Sequence, residues 1–229
     1  MMIKRLTFLL IVMIGLSSQA QLLNEIGLSI GGSNYSGDIG DEYYVMPNRL
    51  AGGLIYRRNL NSRITLRASY TFHSLADADS LSTNIVRQRR NYSFTNFVNE
   101  GTLGVELNFL DFDITNPNNN FTPYIFFELA GISYNEVDQY NPSGDSTFKN
   151  SFSYAIPLGL GFKSSLTRQF GISLEFRARY AMTDQLDYTT EEIEELNLGN
   201  PRYNDWYFFT GIMITYSFQR PPCAVKPRY

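Results

Sequence analysis

The residues of this chain whose types could support catalysis are few, and their spacing gives a weak signal. His73 is the only histidine, and Ser69, Ser74 and Asp77 lie near it in the sequence. Serine, histidine and a carboxylate are the groups of a hydrolase in which a histidine activates a serine hydroxyl, and some small membrane barrels use them on lipids. No nucleophile motif accompanies His73. The sequence therefore favours a non-catalytic polar residue at the rim of the predicted fold, where a strand meets an outer loop.

Disulfide, metal and cofactor chemistry have no support in the sequence. Cys223 is the single cysteine, which excludes an internal disulfide framework and, with one histidine, a Cys/His zinc site. It either pairs with a cysteine of a partner or stays an idle thiol. Asp38 between Gly37 and Gly40 resembles a phosphate loop but lacks the following helix and the Lys-Ser/Thr pair. We predict no catalytic, cofactor-binding or metal-binding residues and no small-molecule substrate.

Two polar segments carry charges of opposite sign that could pair with each other. Their charged residues are Asp184, Asp187, Glu191, Glu192, Glu194 and Glu195 in the acidic segment and Arg87, Arg89 and Arg90 in the basic one. The acidic spacing does not match a calcium loop, so solvated charge is favoured over binding of a divalent ion or a surface partner. The net charge of −3 gives no reason to expect nucleic-acid binding.

The first residues predict export from the cytoplasm. Lys4 and Arg5 precede an apolar run over 6–16, and small and polar residues follow it up to Ala20. This is the pattern of a secretory signal peptide over residues 1–20. The apolar run is too short to span a bilayer, and Gln21 instead of a cysteine follows the predicted cut, so a lipid-anchored amino terminus is not expected.

Alternation of apolar and polar residues predicts eight β-strands. The clearest covers 170–182, where Phe170, Ile172 and Leu174 begin a run of apolar residues at every second position. The other predicted strands cover 25–33, 50–57, 63–73, 101–109, 122–134, 154–163 and 206–218. One apolar face on each of eight strands is typical of a closed antiparallel sheet in lipid, where every backbone group pairs with a neighbouring strand.

The connections between these strands alternate in length. The turns at 59–62 and 164–169 are short and that at 111–121 is moderate, whereas the segments 34–48, 74–91, 135–153 and 183–205 are long and polar. Short periplasmic turns, long outer loops and aromatic residues near the strand ends are features of outer-membrane barrels. We therefore predict an all-β fold, an eight-stranded antiparallel transmembrane β-barrel over residues 21–218, with both termini periplasmic and a short periplasmic tail over 219–229.

The polar faces of these strands predict a filled interior. The charged residues expected to point inward are Arg57, Arg67, Glu100, Glu106, Lys163, Glu175, Arg177 and Arg179. The lumen of an eight-stranded barrel is only wide enough to hold its own side chains. We expect these groups to form a network of salt bridges that plugs the barrel, and no stable pore. A functional proton or ion path is the alternative.

Two stretches of sequence carry a resemblance to a known family. They are NEIG at 24–27 running into GGSNYSGDIG at 31–40, and NDWYFFTG at 204–211 running to TYSF at 215–218. With them, the chain resembles the PorG family of the type IX secretion system over essentially its whole mature length. The resemblance implies an integral outer-membrane protein that has no catalytic residues. It also implies periplasmic partners, the ring built by a lipoprotein and its partner protein, and a need for this protein in the export of cargo.

A barrel too narrow to pass a folded substrate would act as a scaffold or anchor for that ring. The turn at 111–121 and the tail at 219–229 are then the candidate contact surfaces, with outer-membrane lipid around the wall. Two alternatives stay open. One is a stand-alone barrel that binds surfaces as an adhesin or stabilises the envelope, and the other is a lipid-modifying barrel hydrolase that uses His73.

Overall fold

Eight antiparallel strands form a single closed barrel. The computed structural model describes residues 23–41, 44–114, 120–141, 146–190, 193–198 and 204–218. The strands are β1 (Leu23–Ser36), β2 (Arg49–Asn59), β3 (Ile64–Ala78), β4 (Ser93–Asn108), β5 (Phe121–Gln139), β6 (Thr147–Ser165), β7 (Phe170–Ala181) and β8 (Trp206–Phe218). All eight predicted strands are confirmed, and the fold is an eight-stranded antiparallel β-barrel of the outer-membrane type.

The strand order around the barrel follows the order along the chain. Each strand pairs with its sequence neighbours, and the ring closes where β1 pairs with β8, from Asn24 opposite Phe218 to Ser36 opposite Trp206. No sheet edge is left open, so the strands satisfy the backbone groups of one another. Both described ends of the chain, Leu23 and Phe218, lie at the end of the barrel that carries the short turns.

Several strands are longer than the apolar alternation predicts. β3 continues to Ala78, and the predicted loop at 135–153 is mostly strand, because β5 runs to Gln139 and β6 begins at Thr147. Polar residues there still pair across the strands, as Glu136 does with Lys149, whose Nζ lies 3.0 Å from Oε1 of Glu136. The sheet therefore extends beyond the apolar region, where hydropathy gives no signal.

The strand β5 is apolar on both faces, so alternation alone does not fix which face points inward. Ile125, Phe127 and Leu129 face outward, and Glu128 lies fully buried inside the barrel. Opposite it in β6, Pro157 lacks a backbone N–H. The β5–β6 pairing stops at Phe127 opposite Leu158, omits two residues and resumes at Ala130, as that missing donor predicts.

Short helices occur only in the connections at the end of the barrel away from the termini, within the residues that the structure describes. Helix α1 (Ile85–Arg90) begins at Asn84, whose side-chain oxygen accepts a hydrogen bond from the Val86 N–H at 2.9 Å. It ends at Asn91, which has a left-handed φ of 53°. In the same described part of the chain, no helix is long and apolar enough to cross a membrane.

Candidate functional site

Exposed apolar side chains cover the outer wall of the barrel. Leu28 and Ile30 of β1 are each 67% exposed, and Leu103 of β4 is 69% exposed. Large apolar side chains on the other strands are exposed in the same way, so they form a continuous apolar belt around the ring. An apolar surface of this extent is not stable in water and matches the lipid-facing band of a membrane barrel. The chain therefore spans a membrane with its strands.

Inside the belt, an ion-pair network occupies the half of the barrel that is nearer the termini. Glu175 is its centre, since its carboxylate oxygens lie 2.7 Å from Arg57 Nη2, 3.1 Å from Arg67 Nη2 and 2.7 Å from Arg177 Nε. The Tyr124 hydroxyl donates a further hydrogen bond to Glu175 Oε1 at 2.5 Å. Four groups from β2, β3, β5 and β7 thus converge with Glu175 on the barrel axis.

A second carboxylate joins the same network from β4. Glu106 accepts hydrogen bonds from Arg67 Nη1 at 3.1 Å and from Lys163 Nζ at 2.5 Å, and Arg57 Nε lies 3.2 Å from its Oε2. Glu128 of β5 approaches Arg67 Nε at 2.8 Å. Each arginine therefore meets more than one carboxylate, which is the arrangement that a buried ion pair needs to offset the loss of its hydration.

His73 belongs to the interior and not to the rim. It is fully buried, its Nε2 lies 3.1 Å from the Thr71 hydroxyl and 3.7 Å from Glu100 Oε1, and its ring packs edge-on against Tyr207 at 5.5 Å. Glu100 is held at the same time by Arg179 Nε at 2.8 Å. The rim prediction was wrong because β3 continues past His73 to Ala78.

The serine and carboxylate neighbours of His73 in the sequence do not assemble with it. Ser69 shares a hydrogen bond of 2.7 Å with Thr102, and Asp77 Oδ1 accepts from the Ala78 N–H at 2.7 Å. Ser74 accepts a hydrogen bond at its backbone oxygen from the Ser33 hydroxyl. No hydrolase triad forms around His73, and the described residues hold no group of three potential metal ligands.

The inward charges balance one another and fill the lumen. All eight predicted inward residues are buried, and Glu25 and Glu128 join them. Among the strand residues that the structure describes, the buried charged side chains are Arg57, Arg67, Lys163, Arg177, Arg179, Glu25, Glu100, Glu106, Glu128 and Glu175, which are five cations and five carboxylates. Each is at most 3% exposed, so solvent does not reach them from either end. The predicted plug of salt bridges is confirmed.

Above this network, the end of the barrel away from the termini is closed by an apolar cluster. The loops at this end are numbered along the chain, the first between β1 and β2, the second between β3 and β4, the third between β5 and β6 and the fourth between β7 and β8. Inward residues of the strands, including Tyr35, Val98 and Ile132, pack with Ile39 from the first loop and Leu186 from the fourth. Both loop residues are fully buried. The loops thus contribute apolar side chains to the mouth of the barrel, which the polar composition of the loops does not predict.

Two carboxyl groups and a phenol hold the fourth loop over the mouth. The Tyr35 hydroxyl oxygen lies 2.7 Å from Asp187 Oδ2 and 2.5 Å from Asp205 Oδ1. One phenolic proton cannot serve both oxygens, so one carboxyl group carries a proton of its own. Asp187 also accepts from the N–H and hydroxyl of Thr189, at 3.0 and 2.7 Å, which favours Asp187 as the ionised member and Asp205 as the protonated one.

The electrostatics of these two carboxyl groups agree with a shared proton. Burial raises the pKa of Asp205 well above its usual range, and the charge of Asp187 raises it further. Burial likewise raises the pKa of Asp187, against the hydrogen bonds from Thr189 and Tyr35. The other charged groups that act on the pair are Asp38, Asp184 and Arg90.

This cluster also joins the two stretches on which the family resemblance depends. Tyr35 belongs to the glycine-rich stretch at 31–40, Asp205 belongs to the stretch at 204–211, and Tyr35 lies directly opposite Tyr207 where β1 and β8 close the barrel. Gly40 has a φ of +79°, which lets its N–H donate to Asp79 Oδ1 at 3.0 Å while Ile39 enters the mouth. The glycines therefore serve loop closure and not phosphate binding.

A family model covers nearly the whole sequence. The model described as "Domain of unknown function (DUF6089)" matches residues 4–226. The chain belongs to the DUF6089 family. No curated protein matches the chain.

Solved structures of small barrels are similar to this member of the DUF6089 family. The N-terminal β-barrel domain of OprF from Pseudomonas aeruginosa has a TM-score of 0.48 at 14% identity, over 86% of this chain and 100% of that chain. Neisserial surface protein A, NspA, has a TM-score of 0.48 at 10% identity, over 87% and 98%. Ail of Yersinia pestis, in complex with the heparin analogue sucrose octasulfate, has a TM-score of 0.47 at 13% identity, over 86% and 99%.

The basic second loop of this DUF6089 chain binds backbone carbonyls of its neighbours. Arg87 donates to the carbonyl oxygens of Gly40 and Gly37, at 2.6 and 3.3 Å. Arg90 donates to those of Leu198 at 2.7 Å and Asp38 at 2.8 Å. The basic loop therefore joins the first and fourth loops. Its arginines bond mainly backbone carbonyls of those loops, whereas the sequence suggested pairing between side-chain charges.

Arg90 also forms a two-point ion pair with Asp79. Its Nε lies 2.6 Å from Asp79 Oδ2, and a second bond joins Nη2 to Oδ1 at 2.8 Å. Burial raises the pKa of Asp79, but hydrogen bonds from Arg90 and from the Gly40 N–H lower it by more, so it lies below its usual value. A charged pair of this kind holds the end of α1 against the start of the same loop.

Several predictions fall on residues outside the described ranges. The signal peptide over 1–20, Glu191 and Glu192 of the acidic segment, and the tail over 219–229 with Cys223 are among them. The turn at 111–121 is described on both sides of residues 115–119. There, Arg63 Nε pairs with Asp111 Oδ1 at 2.5 Å on the exposed surface, which lowers the pKa of Asp111.

The functional groups that sequence reasoning missed are mainly buried phenols and carboxyls. Tyr35, Tyr124 and Tyr207 each donate to a buried carboxyl group from a distant part of the chain, and Asp205 is one of the two that Tyr35 reaches. Tyr124 and Tyr207 occupy the inward register of β5 and β8, so the alternation of those strands could have found them. For Asp205, which precedes its strand, the sequence offers no such signal.

Proposed function

We propose that this protein is a structural outer-membrane component of the type IX secretion system that anchors the periplasmic ring complex during protein export. The observation that carries the proposal is the filled lumen. Five cations and five carboxylates occupy the axis, and loop residues close the outer mouth. A barrel without a passage contributes to export by holding other proteins in place, which fits the resemblance to the PorG family.

The surface available for that role lies at the end of the barrel with the termini. The turns 60–63 and 166–169 and the described part of the turn 109–120 lie there, and β8, which precedes the tail at 219–229 in the sequence, ends there. If the termini face the periplasm, these segments meet the ring. The partners under this proposal are the ring lipoprotein and its partner protein, and the role requires neither a cofactor nor a catalytic residue.

A co-purification experiment tests the proposal. Full-length protein and a variant lacking residues 219–229 would be extracted in detergent from cells that carry the secretion system. We expect the full-length protein to retain the ring proteins and the shortened one to lose them while keeping the folded barrel. A variant with Asp111→Asn and Arg63→Gln changes the exposed ion pair of the 109–120 turn and tests the second candidate contact.

The outcome that contradicts the proposal is equally direct. If the full-length protein retains no ring proteins, and cells lacking it export cargo normally, the anchoring role is wrong. If the ring stays bound after removal of 219–229, the tail is not the contact and the turns become the remaining surface.

A stand-alone surface barrel is the second candidate, and one observation favours it. β5 and β6 extend beyond the belt as a two-stranded projection that carries exposed Phe148 and the Glu136–Lys149 pair. Such a projection offers a surface to an external ligand. Loop-dependent binding to cells or matrix in the absence of ring proteins would support this reading.

The hydrolase alternative loses its structural support. His73 is fully buried, and its Nε2 shares a hydrogen bond with Thr71, with Glu100 Oε1 3.7 Å away, instead of contacting a serine nucleophile. Lipid hydrolysis by the purified protein that disappears with His73→Ala would restore it.

A further inference from the structure

The first outer loop leaves the barrel mouth and lies against the outside of the wall. Ile39 of this loop is buried in the mouth, but Tyr44, Val45 and Met46 are each at least 60% exposed. The loop returns to β2 through Asn48, whose N–H donates to the Ser33 carbonyl at 3.1 Å and whose side chain donates to that of Ala76 at 3.0 Å. We call residues 44–47 the wall segment.

The wall segment packs against a glycine on the outer face of β1, and we call this contact surface its seat. Apolar side chains point outward at Ile26, Leu28 and Ile30, and Gly32 is the next outward position. A side chain at Gly32 would collide with the ring of Pro47. Gly32 thus has no side chain, and Pro47 of the loop occupies the space that an outward side chain of β1 would fill at this position.

The neighbouring strand β8 completes this seat with an aromatic contact. The Tyr44 ring packs edge-on against Phe208 with centroids 5.6 Å apart, and Phe208 stacks on Trp206 at 6.4 Å. Phe208 points outward in the alternation of β8 yet is only 4% exposed, because these rings cover it. The wall segment is therefore packed on the barrel.

The position of the wall segment matches the boundary between hydrocarbon and headgroups. Below it, the outward side chains of β1, β2 and β8 are mainly apolar, with Leu50, Leu54 and Ile212 exposed. Above it lies a groove of about 560 Å³ whose lining includes the polar residues Ser36, Asp38, Arg87 and Asn204. The segment thus continues the belt upward to the level at which polar groups begin.

We propose that Tyr44, Val45 and Met46 insert into the lipid leaflet and form the outer margin of the lipid-facing belt over β1. The occupant of this surface is the acyl-chain and glycerol region of the surrounding lipid, because the segment is continuous with a belt that already faces lipid. Exposed apolar side chains beside hydrocarbon are stabilised when they withdraw their apolar surface from water. This inference does not depend on the secretion role.

Fluorescence quenching by brominated lipids tests the depth of the wall segment. In a Trp206→Phe background, which removes the only tryptophan, the full-length barrel in phosphatidylcholine vesicles would carry either Val45→Trp or Val86→Trp. Both positions are exposed valines of outer loops, at 64% and 71%, but Val86 belongs to α1, whose Arg87 lines the polar groove and whose Arg90 bonds the backbone of two other loops. We expect lipids brominated near the glycerol end of the acyl chain to quench Val45→Trp at least twofold more than Val86→Trp.

Equal quenching at the two positions, or none at Val45→Trp, would overturn the proposal.

A second pair of variants tests the seat in the Val45→Trp protein. Gly32→Val displaces Pro47 and should lower the quenching at least twofold, whereas Gly101→Val, on the outer face of β4 with open space around it, should leave it unchanged. Unchanged quenching in a folded Gly32→Val protein would show that the segment is not seated there. The first pair decides the depth even if Gly32→Val does not fold.

Discussion

At the scale of single residues, the interior is built from charges that depend on one another. Glu175 accepts from three arginines and a tyrosine, and each arginine has a second carboxylate within reach. Replacing one member leaves buried charges that the remaining partners compensate only in part, which costs more than the pair contributes. Such a network specifies one packing of the lumen, since any other arrangement would bury an unpaired charge.

Glu175→Gln should therefore weaken the barrel strongly. The amide keeps the volume but removes the charge that Arg57, Arg67 and Arg177 share, and breaking a buried pair of this kind costs about 3–5 kcal/mol. Urea unfolding in lipid vesicles, followed by the change in electrophoretic mobility of the unheated protein, measures the loss. Asp111→Asn is the matched control, because its partner Arg63 is exposed, and it should leave the unfolding midpoint nearly unchanged.

The shared proton of Asp187 and Asp205 should make the fourth loop sensitive to pH. Both carboxyl groups have a pKa above the ordinary value of 3.8, so the closed loop binds more protons than the open one as the pH rises above that value. Closure is then fully stabilised at low pH and is lost as the pH rises through the raised pKa values. Hydrogen exchange of the segment 183–205, corrected for the intrinsic rate, should increase with pH.

Asp205→Asn supplies the decisive comparison for the loop. The amide donates to Tyr35 without a titrating proton, so the exchange of the loop should depend less on pH than in the parent protein. A pH dependence equal to that of the parent would show that the Tyr35, Asp187 and Asp205 cluster does not control the loop.

At the scale of elements, the strands whose bounds could be predicted from the sequence are those that contact lipid. Where strands meet hydrocarbon, alternation has to be strict, and the strands 170–182 and 206–218 are accordingly found within one residue of their ends. Beyond the belt this constraint is absent. The outer halves of β5 and β6 pair through polar residues such as Asn135 opposite Asn150, which look like loop in a hydropathy pattern.

Two neighbouring arginines of the second loop, Arg89 and Arg90, should differ in how strongly they stabilise the loops. Arg90 joins α1 to Asp79 of its own loop and to the carbonyls of Asp38 and Leu198, whereas Arg89 is exposed on the same helix. Arg90→Ala should raise hydrogen exchange in the first, second and fourth loops together, and Arg89→Ala should not. A rise confined to α1 would mean that Arg90 does not connect the loops.

At the scale of the whole molecule, the filled interior was predictable from the inward charges, but the site at the mouth was not. Tyr35 and Asp205 are separated by 170 positions, and only closure of the ring brings them together. The burial of Ile39 and Leu186 depends equally on loops that fold back over the strands. His73 was misplaced for the same reason, because the length of β3 above the belt depends on pairing with β4.

The absence of a passage has a consequence that electrical recording can measure. Purified protein inserted in a planar bilayer should show no stable unitary conductance at neutral pH, because every charge of the lumen is paired and shielded from solvent. Steady single-channel currents that scale with salt concentration would contradict this description of the lumen.

Closure of the ring depends on the last of the eight strands, because β8 pairs with both β1 and β7. The five cations and five carboxylates of the lumen come from β1 to β7, so a chain that lacks β8 would keep these interior charges but leave β1 and β7 as unpaired sheet edges. Hydrocarbon offers no hydrogen-bond partner to the backbone groups of such edges. A truncated chain that lacks the thirteen-residue β8 should therefore not form a stable barrel in lipid.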